Sequence, residues 1–141
     1  MNYARLALAA VAATVFDACY GFLVYGMAMA PEFARYPGIY RGEDTGPAFL
    51  PLMFAGLFIA IVAAAMIYAK GYEGGSGAAE GVRFGLLLGV FVVFTTASVN
   101  YATLNVGRKI AVMTLAAGFV EWLIIGTIIG LVYKPAARSP R

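Results

Sequence analysis

Four long runs of apolar residues, separated by short polar segments, dominate the chain. The runs cover residues 5–29, 49–69, 82–101 and 110–133. Crossing the hydrocarbon core of a bilayer takes roughly 20 residues of helix, a length that each run reaches. The first run is too long for the core of a cleaved signal peptide, so we interpret it as a retained helix. The pattern therefore predicts a single all-α transmembrane domain of four helices over residues 1–141.

Residues that begin or end helices lie at the edges of these runs. Pro31 follows the first run, Pro47 and Pro51 stand at the start of the second, and Pro135 follows the fourth. Proline is tolerated in the first turn of a helix and disfavoured in its interior. The connection between the third and fourth runs, residues 105–109, is short enough only for a hairpin. We therefore expect an antiparallel four-helix bundle.

The distribution of basic residues predicts the orientation of the bundle. Four spans place both chain ends on one side of the membrane. That side carries six of the ten basic residues, namely Arg5, Lys70, Arg83, Lys134, Arg138 and Arg141. The opposite side carries the other four, namely Arg35, Arg41, Arg108 and Lys109. Because cytoplasmic connections carry an excess of Lys and Arg, the count favours both termini in the cytoplasm.

The composition agrees with a membrane protein and excludes several functions. Hydrophobic residues make up 62% of the chain and charged residues 12%, whereas soluble domains carry about 25% charged residues. The basic residues are scattered over the connections, so lipid head groups are their expected partners and nucleic acid is not. With Cys19 as the only cysteine and no histidine, a disulfide within the chain and a histidine-ligated haem are excluded. No nucleophile–base pair and no metal-ligand spacing is present, so we predict no enzyme, metal site or cofactor.

Polar side chains inside the apolar runs are the candidate functional residues. An acidic residue at the centre of a membrane helix costs about 2.5–3.5 kcal/mol, so such residues face the bundle interior and have partners. The predicted cluster consists of Asp17, Glu121, Thr96 and Asn100, with Tyr20 and Tyr25 as further candidates. The only basic residues within the runs, Arg5 and Arg83, lie at the ends of their runs, so protonated carboxyls are expected in preference to a salt bridge. Three roles remain open: fixing helix register, a proton or solute path, and contact with a partner's polar group.

Glycines spaced by four residues form smooth stripes on the last two predicted helices. The third helix has Gly81, Gly85 and Gly89, and the fourth has Gly126 and Gly130. Small residues let helix backbones approach closely in lipid. The stripes are interpreted either as internal packing surfaces or as a docking face for another subunit.

Several segments resemble a widespread bacterial family of small four-helix membrane proteins, a domain of unknown function. The most specific segments are residues 70–75 and 80–87, and the similarity extends to residues 100–102, Glu121 and residues 129–135. Members of that family often carry a histidine near the position of Tyr25, which this chain lacks. The resemblance implies the four-helix architecture and a multi-pass protein of the bacterial cytoplasmic membrane. It implies no activity.

Two functional hypotheses follow. The first is an accessory or structural subunit of a larger bacterial membrane complex, respiratory or photosynthetic, in contact with lipid and with other membrane subunits or copies of itself. The second is an oligomeric transporter or channel for protons or small solutes, in which Asp17 and Glu121 line the path.

Overall fold

The computed structural model describes residues 1–42 and 44–133, and this part of the chain is entirely helical apart from turns and loops. The five α-helices are α1 (Tyr3–Tyr20), α2 (Ala30–Phe33), α3 (Leu50–Gly71), α4 (Gly77–Thr103) and α5 (Arg108–Val132). Four segments are long and apolar enough to cross a membrane, namely Tyr3–Ala28, Gly46–Gly71, Gly77–Thr103 and Arg108–Val132. The prediction of four helices long and apolar enough to cross a membrane is confirmed. The predicted stop at Pro135 lies outside the described residues.

The ends of the helices follow from local chemistry. The Asn2 side chain accepts a hydrogen bond from the Arg5 backbone N–H at 3.2 Å and so caps α1. Pro47 lies in a single 3₁₀ turn, Gly46–Phe49, and Pro51 lies in the first turn of α3, where a missing N–H costs nothing. Gly74 turns the chain between α3 and α4 with φ of +93°, a conformation that favours glycine.

The first membrane span differs from the single helix predicted over residues 5–29. After Tyr20 the α-helix continues as a π-helix, Gly21–Ala28, which ends with a 2.8 Å hydrogen bond from the Met29 N–H to the Val24 carbonyl. Hydropathy does not distinguish the two helix types because both keep the same residues in the membrane. The π-helix changes the direction of the side chains that follow Asp17, with consequences for the site described below.

Helix packing is concentrated at one end of the molecule, which we call the packed end. The buried core there comprises Leu6, Ala9, Ala10 and Ala13 of α1, Ile61, Ala64, Ala65 and Tyr68 of α3, and Ile125 and Ile129 of α5. The Tyr68 ring lies 5.4 Å from the Phe84 ring and 6.0 Å from the Tyr133 ring, so aromatic side chains close this end.

The opposite end carries the connection 29–49 and the α4–α5 turn. It has fewer buried residues, among them Met29, Glu32 and Ile110, and we call it the open end. Over residues 50–60 of α3, every residue is exposed except Leu57, which is half-buried. The four buried residues of α3 all lie after this stretch. The N-terminal half of α3 is therefore free of neighbouring helices in the described structure.

The five predicted packing glycines bring α4 and α5 into backbone contact. A Cβ built on Gly81 would lie 2.9 Å from the Gly126 carbonyl oxygen, and one on Gly85 would lie 2.5 Å from the Leu123 carbonyl oxygen. Gly89 faces the Phe119 ring, and Gly130 faces Gly77 and Gly81. The start of α4 thus lies against the end of α5. These glycines are buried in the contact between α4 and α5. They therefore form an internal packing surface and are not exposed for docking of another subunit.

Candidate functional site

Asp17 of α1 and Glu121 of α5 form a buried carboxyl pair near the middle of their spans. As residues they are 2% and 8% exposed, and their carboxyl groups are close neighbours where α1 meets α5. A carboxylate only accepts hydrogen bonds, so a hydrogen bond between two carboxyl groups requires a proton on one of them. A direct hydrogen bond between these two carboxyl groups would therefore hold one proton at mid-depth of the membrane.

Two tyrosines of the first span surround this pair. The Tyr25 hydroxyl donates to Glu121 Oε2 at 3.0 Å, and the Tyr20 hydroxyl donates to the Ala117 carbonyl oxygen at 2.9 Å. Their rings pack edge to face with centroids 6.2 Å apart. Residues five apart in an α-helix point roughly 140° away from each other. The wider π turn reduces that angle, which is how both tyrosines reach α5.

Gly118 of α5 leaves space for the Tyr25 side chain, whose hydroxyl lies against it. A Cβ at this position would meet Val93 Cγ2 at 3.3 Å and the Tyr25 hydroxyl at 3.6 Å. Gly118 lies one turn before Glu121, so it belongs to the same face of α5. Its role was not predicted because glycine carries no polar group that the hydropathy pattern singles out.

Asp17 Oδ1 is buried and has no hydrogen-bond partner in the described part of the chain. Buried polar atoms in proteins are almost always paired, and an unpaired acceptor costs about 1–3 kcal/mol. This cost falls on one oxygen of the carboxyl pair, and it is relieved when that oxygen accepts a hydrogen bond from a donor or when the carboxyl group takes up a proton.

The predicted cluster is brought together only in part. Asp17, Glu121, Tyr20 and Tyr25 meet, whereas Thr96 and Asn100 are exposed on α4. The Thr96 hydroxyl donates to the Val92 carbonyl oxygen of its own helix at 2.8 Å. The reason is geometric: α4 packs on α5 through its glycine face, and the carboxyl pair lies where α5 meets α1.

A second set of polar contacts, which the sequence pattern did not predict, joins α2 and the residues that follow it to the start of α5. Glu32, 7% exposed, accepts from Lys109 Nζ at 2.6 Å and pairs with Arg35 at 3.5 Å. The hydrogen bond from Lys109, assisted by the Arg35 charge, lowers the pKa of Glu32 below its ordinary value. The Tyr36 hydroxyl accepts from the Gly107 N–H at 3.1 Å. These bonds join residues far apart in sequence, and their spacing follows no motif.

Sequence and structure comparisons add no relative to this picture. Neither the family models, nor the curated proteins, nor the solved structures yield a match to the chain. The resemblance to the bacterial four-helix family thus stays a prediction, and the carboxyl pair between α1 and α5 is the feature from which a function is argued.

Proposed function

We propose that this protein is a small proton-binding membrane transporter or channel whose working site is the Asp17–Glu121 pair. The observation that carries the proposal is the buried carboxyl pair, in which Asp17 Oδ1 has no hydrogen-bond partner among residues 1–42 and 44–133. Ionisable groups at mid-membrane are costly and typically mark proton relays or ion paths. A purely structural contact between α1 and α5 is made more cheaply by apolar side chains, as it is at Ala13 and Ile125 in the packed end.

The uneven packing of the helices supports access of protons to the carboxyl pair from the open end. Between the pair and the packed end lie the fully buried residues Ala9, Ala13 and Ile125. Towards the open end the neighbouring residues are the half-buried Tyr20 and Tyr25, and α3 has no packed face there. Protons therefore reach the pair from the open end, and passage to the other side requires the packed end to open. We place the chain as an antiparallel bundle in the bacterial cytoplasmic membrane, with both termini inside and the open end outside.

A flux assay tests the transport role. Purified protein is reconstituted into liposomes that contain a pH-sensitive dye, and internal acidification is followed after an external pH drop. Asp17→Asn and Glu121→Gln are expected to reduce the protein-dependent flux to the level of empty liposomes. Glu73→Gln, at an exposed position in the α3–α4 turn, is the matched control and should keep the flux. Equal flux in all four proteins would contradict the proposal.

Proton binding has its own test, independent of flux. Difference infrared spectra taken from about pH 5 to about pH 9 should contain the carbonyl band of a protonated carboxyl in the wild-type protein. The band should be absent in Glu121→Gln and should shift in Tyr25→Phe, which removes the 3.0 Å hydrogen bond to Glu121. Helical circular dichroism and gel filtration establish that each variant is folded. A wild-type spectrum without any such band means two ionised groups and refutes the shared proton.

A second candidate function is that of an accessory subunit in a larger respiratory or photosynthetic membrane complex. The unpacked N-terminal half of α3 favours it, because residues 50–60 offer a helix surface to a neighbouring subunit or a second copy. A photo-crosslinking residue at Ile59, which is 67% exposed, should then form a protein adduct in native membranes. The same residue at Leu87 of α4, 73% exposed, is the control facing lipid. A monomer after gentle extraction, with no adduct from position 59, would dispose of this candidate.

A further inference from the structure

A groove of about 300 Å³ runs between α4 and α5 at the open end. Its walls are apolar, formed chiefly by Phe94, Ala97, Val112 and Leu115. The Ser98 hydroxyl in the lining is already satisfied, since it donates to the Phe94 carbonyl oxygen of its own helix. The volume is roughly twice that of the ~150 Å³ apolar cavity that accepts benzene. The groove therefore has room for a hydrocarbon segment.

Arg108 gives the groove a charged end. It is the first residue of α5 and lines the groove together with Tyr101 of α4. The neighbouring Lys109 is bound to Glu32, and Arg35 is the other partner of that carboxylate. Within residues 1–42 and 44–133, no carboxylate forms an ion pair with Arg108. A guanidinium group binds phosphate in a bidentate manner, so its natural complement here is an anionic phosphate.

The depth of these residues identifies the class of ligand. Arg108 and Tyr101 stand at the end of their spans, where basic and tyrosine side chains meet lipid head groups. From Tyr101 back to Phe94 the groove follows α4 for about 10 Å, a third of the ~30 Å hydrocarbon core. A free anion makes no contact with the apolar walls, and a neutral lipid offers no anionic group to the guanidinium of Arg108. Only a molecule with both an acyl chain and an anionic head matches both parts.

We propose that the groove between α4 and α5 is a binding site for one anionic phospholipid, with an acyl chain between Phe94 and Leu115 and the phosphate on Arg108. The site is independent of the carboxyl pair, which lies between α1 and α5. Lipid bound there covers the part of the α4–α5 hairpin that lies beyond the glycine contact, and so holds the two helices together at the open end.

The test measures lipid retention by native mass spectrometry of the protein released from nanodiscs of phosphatidylglycerol mixed with phosphatidylcholine. The wild-type protein should retain one phosphatidylglycerol in preference to phosphatidylcholine. Arg108→Gln should reduce this preference about fivefold, the factor expected for one basic residue facing anionic lipid. Arg83→Gln is the matched control, because Arg83 is an exposed residue at the other end of the same hairpin. Equal preference in the two variants would overturn the proposal.

Two further arms distinguish the parts of the site. Ala111→Phe places a ring in the groove while leaving Arg108 intact, and it should abolish retention of the lipid. Inorganic phosphate added to the wild-type protein should not displace the lipid, because it cannot use the apolar walls. Displacement by phosphate, or full retention in Ala111→Phe, would show that the groove does not hold an acyl chain. Gel filtration of each variant confirms the fold before lipid is measured.

Discussion

Replacing Gly85 by alanine is expected to destabilise the α4–α5 contact. A Cβ there would lie 2.5 Å from the Leu123 carbonyl oxygen and 3.0 Å from the Leu123 Cα, whereas an ordinary contact begins at 3.4 Å. These neighbours are backbone atoms, so no side chain can turn aside. The helices must separate by about 0.9 Å, a gap that forfeits a quarter to a half of the dispersion energy of the atoms involved. Overpacking of this kind costs about 1–3 kcal/mol.

The matched control is Gly56→Ala. Gly56 lies in the exposed half of α3, and a Cβ there meets no atom within 4 Å. The same chemical change is thus made once inside a helix contact and once facing lipid. Reversible unfolding in mixed micelles, with increasing fractions of a denaturing detergent, measures the difference. Gly85→Ala should unfold at a clearly lower detergent fraction than wild type, and Gly56→Ala should not. Equal midpoints for the two variants would refute the backbone contact between α4 and α5.

Two further outcomes are expected at the open end. Because the pKa of Glu32 is lowered from its ordinary 4.5, its stabilising contribution is complete above that value and is lost as the pH falls through the lower pKa. Limited proteolysis of the connection 29–45 should therefore accelerate on acidification in the wild-type protein and change less in Glu32→Gln or Lys109→Met; identical acid profiles would refute the assignment. Tyr36→Phe leaves the Gly107 N–H without its acceptor and should lower the free energy of unfolding by about 1 kcal/mol. Tyr40→Phe, whose hydroxyl makes no hydrogen bond in the described structure, should not, and a loss of the same size in both would contradict this reading of Tyr36.

Hydropathy predicts the four spans because their length is dictated by the bilayer and their composition by its solvent properties. The glycine spacing likewise predicts which faces of α4 and α5 are smooth, since helical periodicity places Gly81, Gly85 and Gly89 on one side. The identity of the partner face is not encoded in either helix alone. The structure shows that the partner face is the one that carries Gly126 and Gly130 of α5.

The carboxyl pair was predicted from cost, since two acids in lipid must be sheltered together. The inclusion of Thr96 and Asn100 rested on their polarity and on their position one turn apart on one face of the third helix, which does not determine the direction in which that face points within the bundle. The Thr96 hydroxyl donates a hydrogen bond to a carbonyl oxygen of its own helix, so it needs no partner from another helix. The π-helix over Gly21–Ala28 was beyond prediction because its residues are as apolar as those of an α-helical span.

The uneven packing of the bundle also determines how the protein responds to bilayer thickness. Its spans contain 25 to 27 residues, a helix length of about 38–40 Å against a hydrocarbon core of about 30 Å. Surplus length is absorbed by tilting or by local thickening of the lipid. At the packed end α3 is held against α1 and α5, whereas its first half has no neighbouring helix that resists bending. We therefore expect hydrophobic mismatch to be absorbed mainly at the open end, by bending of α3.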